Sequence, residues 1–229
     1  MSLKAILIDL DDTLLSTNME RFIPIYLQSL GLWMKNFMQP EELIKLVLES
    51  TQKMMINDDP ALTNEEVFYH YFNSKINFSS TDFKTQAAQF YDMEFPKLGK
   101  NTKKVPFADE FVKQLFDAGF KVVIATNPLF PAKAIEHRIY WAGLSKFRFD
   151  LITTYENSHF CKPSIKYYNE ILEKIGVKPE EAVMVGDDVE NDIIPAKNLG
   201  MDAFLIFEIA RQDKSGSLED CLNWIMAKF

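Results

Sequence analysis

The chain opens with four consecutive apolar residues, Ala5-Ile6-Leu7-Ile8, that run straight into Asp9-Leu10-Asp11-Asp12-Thr13. An apolar run of strand length with no polar alternation predicts a buried strand of a parallel sheet, covered on both faces. Residues i and i+2 of an extended chain point the same way. Asp9 and Asp11 therefore face one site at the strand's carboxyl end, where open α/β sheets bind their ligands. Two like charges held so close are costly unless a cation, a proton or a reacting group shares them. The opening segment predicts a functional site.

After Thr13 the pattern changes. From about Asn18 to Phe95 the periodicity is helical, and Val, Ile and Gly are scarce. Glu20 to Leu30 predicts one helix. Pro40-Glu41-Glu42 places proline and acids in the first turn of a second, running to about Ile56. Thr63 with Glu66 three residues on is a capping-box pattern that opens a third, to about Lys75, and Ser80 to Glu94 predicts a fourth. Lys97 to Pro106, with its lysines, reads as a solvated return linker.

Beyond it, helix and strand alternate. Helices are predicted over Phe107 to Ala118, Pro131 to Ala142, Ser164 to Ile175 and Asn191 to Leu199, each followed at once by a glycine. Strands are predicted over Lys121 to Thr126, Phe149 to Thr153, Ala182 to Gly186 and Ala203 to Phe207. Ser217 to Phe229 predicts a closing helix. This alternation implies a doubly wound parallel sheet, a Rossmann-like α/β core interrupted by an all-helical insert. The expected division is a catalytic core of residues 1–16 and 98–229 and a helical cap of residues 17–97.

Hydrophobic residues make up 47% of the 229 and charged residues 25%, as in an ordinary globular protein. A formal net charge of -8 argues against a general nucleic-acid partner, which calls for a basic face. No segment reaches the roughly 18 apolar residues that span a bilayer, so no membrane partner is expected. Two cysteines, Cys161 and Cys221, are too few for a disulfide framework. With no signal-type leader, the expected compartment is the cytoplasm. The 19 phenylalanines imply a well-filled core, and Trp33 or the cap tyrosines are candidates to line a specificity pocket.

Four strand ends supply polar residues that can converge. They are Asp9 and Asp11; Thr126-Asn127; Lys162 in Cys161-Lys162-Pro163, before a helix; and Gly186-Asp187-Asp188, followed by Asp192. Three carboxylates (Asp9, Asp11, Asp187) with no His or Cys nearby make a hard oxygen site suited to Mg²⁺. A carboxylate can attack phosphorus to give an aspartyl-phosphate that water then hydrolyses. A second carboxylate can protonate the leaving oxygen and later take a proton from water. Lys162, the Thr126 hydroxyl and backbone N–H groups can hold the phosphoryl oxygens as charge builds. His159 and His70 have no partner in view, and Cys161 has no task beside an aspartate nucleophile.

In these four motifs, in this order, the chain resembles the phosphatase branch of the haloacid dehalogenase superfamily. Asp9-x-Asp11-x-Thr13 stands as its first motif, Thr126 as its second, Lys162 as its third, and Gly186-Asp187 with Asp192 as its fourth. The insert looks like that family's small helical cap of the C1 type. The resemblance implies Asp9 as nucleophile and Asp11 as general acid/base. It implies Mg²⁺ held by Asp9, the backbone carbonyl of Asp11, and Asp187, with Asp192 and Lys162 as an orienting pair. Asp188 stands where many relatives carry Ser or Thr and is a candidate to reach the metal, directly or through water. Asn127 is expected to offer its backbone N–H to phosphate. The expected function is a Mg²⁺-dependent phosphatase acting on a small phosphorylated metabolite. A phosphomutase shares the motifs. A dehalogenase attacks carbon and needs neither the second acid nor a metal. A non-catalytic binding protein on this scaffold would lack Asp9 or Asp11.

Overall fold

A computed structural model describes residues 2–207 and 215–228. Strand β1 (Ala5–Ile8) leads through the acidic turn into a two-residue strand, β2 (Leu15–Ser16). Four helices follow: α1 (Met19–Trp33), α2 (Pro40–Met55), α3 (Asn64–Asn73) and α4 (Ser80–Met93). A 3₁₀ segment, Phe95–Asn101, returns the chain to β3 (Lys103–Lys104), which pairs antiparallel with β2. Both crossings between the helical insert and the sheet therefore lie side by side. Alternation then resumes with α5 (Ala108–Asp117), β4 (Lys121–Ile124), α6 (Ala132–Ala142), β5 (Leu151–Ile152) and α7 (Ile165–Ile175). It continues through β6 (Ala182–Gly186), α8 (Ile194–Leu199), β7 (Asp202–Ile206), β8 (Ser215–Gly216) and α9 (Leu218–Met226).

Six strands form one sheet in the order β5-β4-β1-β6-β7-β8, every pair parallel. In β1, Ile6 and Ile8 enter one apolar core, with α5 and α6 and the insert, while Ala5 and Leu7 enter the other, with α7 and α8. That two-sided burial is why the strand carries no polar residue. Ile8 lies opposite Ile124 on one side and Val185 on the other. The chain segments that leave β1, β4 and β6 consequently emerge at one level, and the acidic turn sits at the centre of the sheet.

The capping box at Thr63 is formed, with Glu66 accepting from the Thr63 N–H at 2.8 Å. Several predicted boundaries move; the strand predicted over Lys121 to Thr126, for one, ends at Ile124. The strand predicted over Phe149 to Thr153 narrows to β5, because Phe149 packs on Phe116 and the Asp150 carboxylate takes the Val122 N–H. The helix predicted from Asn191 starts as α8 only at Ile194. It is preceded by a π-helical turn, Val189–Ile193, that Asp188 caps from outside. The linker predicted over Lys97 to Pro106 is partly structured, as the end of the 3₁₀ segment and β3. Phe229, at the end of the predicted closing helix, lies outside the described residues. Among the described residues no helix is long and apolar enough to cross a membrane.

Candidate active site

The backbone of Asp9 still follows the sheet, its N–H donating to the Val185 carbonyl at 2.8 Å, while its side chain clears the last strand residue. Thr126 and Asn127 follow β4, Lys162 precedes α7, and Asp187, Asp188 and Asp192 follow β6. All eight residues singled out in the sequence (Asp9, Asp11, Thr126, Asn127, Lys162, Asp187, Asp188, Asp192) line one cavity of about 350 Å³.

Lys162 is its electrostatic centre. Its Nζ lies 2.7 Å from Asp9 Oδ1 and 2.6 Å from Asp192 Oδ1, with 3% of the side chain exposed. Burial on its own would lower the proton affinity of this amine. The Asp192 and Asp9 charges outweigh it and hold the ammonium well above its ordinary value. Carboxylates outnumber the ammonium, however. Burial pushes the Asp9 carboxyl well above the ordinary range, with Lys162 opposing and Asp192 and Asp11 adding to the rise. Burial, followed by the Asp192 charge, lifts Asp187 to about 6.

Carboxylate oxygens of Asp9, Asp187 and Asp192 lie within 4.8 Å of one another. This donor set is all oxygen, and its excess negative charge is what a hard divalent cation would balance. Asp192 stands in this cluster where the sequence reading placed Asp11. Thr13 Oγ1 donates to Asp187 Oδ1 at 3.2 Å and orients it. The Asp188 carboxylate is taken up locally, accepting from the Glu190 N–H (2.8 Å), the Asn191 N–H (3.0 Å) and Asn191 Nδ2 (2.6 Å).

The Asp11 side chain turns the other way, toward a partner that sequence reasoning missed. Arg138 Nη1 lies 2.6 Å from Asp11 Oδ2, and Thr17 Oγ1 donates to Asp11 Oδ1 at 2.8 Å. Arg138 is 1% exposed and its guanidinium sits 4.6 Å from the centre of the Phe130 ring. The signal was available: Ile135, Arg138, Ile139 and Ala142 share the buried face of α6, so a cation interrupts an apolar stripe.

Thr126 is buried, and its carbonyl accepts from Thr153 Oγ1 (2.7 Å) and Tyr167 Oη (2.9 Å), which fixes the turn after β4. Asn127 Oδ1 accepts the Lys162 N–H at 3.2 Å, tying the second motif to the third. Gly186 is required by crowding: a Cβ there would lie 2.1 Å from Asp192 Oδ2. His159 pairs with Glu170 at 2.8 Å away from this cavity, and His70 is exposed on α3. Cys161 is buried, its thiol raised to about 12 chiefly by burial, so it is no nucleophile.

A family model described as "haloacid dehalogenase-like hydrolase" matches residues 3–200. The pyrophosphatase PpaX of Bacillus cereus is 27% identical over 201 residues, covering 87% of this chain and 81% of the relative. A 2-haloacid dehalogenase from Pseudomonas syringae pv. Tomato superposes with a TM-score of 0.62 at 20% identity, covering 99% of each chain. A phosphatase of this superfamily from Thermococcus onnurineus gives 0.58 at 21% identity, covering 97% of this chain and 98% of its own. These likenesses to solved structures bear on the fold, while the family match spans all four motifs: the chain belongs to the haloacid dehalogenase-like hydrolases.

Proposed function

We propose that this hydrolase is a Mg²⁺-dependent phosphatase that releases phosphate from a small phosphomonoester through an aspartyl-phosphate on Asp9. The observation that carries the reading is the Asp9–Lys162–Asp192 arrangement, with Asp187 alongside and a second acid, Asp11, two residues from the nucleophile. A dehalogenase has no use for that acidic surplus.

Asp9, Asp187 and the backbone carbonyl of Asp11 would hold the metal, with Asp192 close enough to join or to orient Lys162. When bound, Mg²⁺ supplies positive charge that lets the Asp9 carboxylate and a phosphoryl group approach each other. An Asp9 carboxylate oxygen attacks phosphorus as the bond to the leaving oxygen breaks, and Asp11 delivers the proton that this oxygen needs. To carry that proton, the Asp11 carboxyl exchanges its contacts with Arg138 and Thr17 for the leaving oxygen. Water then attacks the phosphoryl group on Asp9, with Asp11 taking its proton, and phosphate leaves. The Lys162 ammonium, the Thr126 hydroxyl and the Asn127 backbone N–H bind the phosphoryl oxygens. In this reading residues 1–16 and 98–229 are the catalytic core. Residues 17–97 are a cap that excludes bulk water and selects the leaving group.

The test is phosphate release from a panel of phosphorylated metabolites and aryl phosphates, with and without Mg²⁺. Wild type is expected to release phosphate only with the metal, and Asp9→Asn to release none. A folded Asp9→Asn variant with wild-type turnover would remove Asp9 from the mechanism.

A further inference from the structure

Beside the carboxylate cavity lies a second one of about 140 Å³, enclosed by α1, α2, α3, α4 and the loop after β4. Leu129 and Phe130 line both cavities, so the two adjoin. No charged side chain lines the second cavity; Ile23, Leu27, Val47, Phe68, Phe83 and Ala87 give its character. Its polar atoms are largely spoken for. Tyr26 Oη and Tyr91 Oη bond each other at 2.8 Å, and Thr51 Oγ1 donates to the Val47 carbonyl at 2.9 Å. Trp33, a sequence candidate for a specificity pocket, instead donates to the Gln86 carbonyl at 3.0 Å and does not line this cavity.

Two magnitudes decide what fits. An apolar protein cavity of about 150 Å³ accommodates a benzene ring, so this one has room for a single ring and little more. The cations nearby belong to the adjoining cavity: Lys162 bonds Asp9 and Asp192, and Arg138 bonds Asp11 through Nη1 while its Nε and Nη2 have no hydrogen-bond partner among the described residues. A leaving group that carried its own phosphate or carboxylate into the apolar cavity would meet no cation there and would be desolvated at high cost.

We infer that the apolar cavity is the leaving-group site and that the substrate is a phosphate monoester of a neutral alcohol carrying one aromatic ring. The inference rests on the phosphatase reading and narrows it. It disfavours substrates with a second anionic group, such as pyrophosphate or phosphoglycolate.

The experiment compares benzyl phosphate with ethyl phosphate, two alkyl esters that differ chiefly in the ring, alongside pyrophosphate and phosphoglycolate, all with Mg²⁺. One added methylene in an apolar pocket already changes kcat/KM by about 10-fold or more, so benzyl phosphate is expected to exceed ethyl phosphate by at least that factor. Ala87→Phe, which puts a ring of the protein's own into the cavity, is expected to bring the ratio close to one. A wild-type ratio near one, or a preference for pyrophosphate or phosphoglycolate, would overturn the inference and leave the phosphatase reading standing. A ratio that Ala87→Phe leaves at its wild-type value would place the ring elsewhere and overturn it equally. Absence of phosphate from all four compounds would overturn the phosphatase reading, and this inference with it.

Discussion

Arg138 and Asp11 form a buried pair whose members are far apart in the chain and 2.6 Å apart in space. Replacing Arg138 with Met leaves the Asp11 carboxylate without its cation, and breaking such a pair typically costs about 3–5 kcal/mol. Urea unfolding of Arg138→Met is expected to show a loss of that size, and the Asp11→Asn/Arg138→Met double variant less than the sum of the singles. Strictly additive costs would mean that the contact carries no coupling. At this scale the acidic side of the site was legible, because carboxylates follow two apolar strands and polar residues of two further segments join them, a set much less expected by accident than any one member. Arg138 was not, since its role depends on which way α6 turns toward β1. That Asp192, and not the Asp11 side chain, completes the cluster of Asp9 and Asp187 was likewise hidden, because side-chain direction after a strand end is set by the turn that follows.

Elements were read best where burial and capping agree. The strand over Ala182 to Gly186 stands as predicted, and Thr63 closes its capping box before α3. Two-residue strands such as β2, β3 and β8 are too short to show any period, and they exist because a neighbouring strand offers free backbone groups. At the end of β6 the backbone must pass within contact distance of Asp192, which only glycine allows. Gly186→Ala is therefore expected to displace the Asp192 carboxylate from Lys162. Misplacement of about 1 Å at a reacting centre can cost 10²-fold, so kcat/KM toward an aryl phosphate should fall by about that factor. Retained turnover would show that Asp192 need not touch Lys162.

Across the whole molecule the surplus of buried acid makes stability depend on pH and on cation. Asp187 holds its proton up to about 6, against 3.8 for an ordinary aspartate, so this group favours the folded state fully below 3.8. That contribution is lost as pH rises through about 6. Without metal, the Tm is expected to fall across this window by more in wild type than in Asp187→Asn. Mg²⁺ is expected to raise the Tm more at about pH 7 than at about pH 5, since it binds the deprotonated site. A Mg²⁺ increment independent of pH would separate the cation from these carboxylates. The order of the strands has one more consequence, and it concerns time. β1 is made first, yet its partners are Lys121–Ile124 and Ala182–Val185. Closing contacts over such separations is slow compared with forming local helices. On a ribosome the segment ending in Asp9 must wait, unpaired, until most of the chain has emerged, while the four helices of the insert can form beside it. An unfinished chain thus carries the proposed nucleophile but none of its partners in the site, and activity is expected only once the strand before Asp187 has docked.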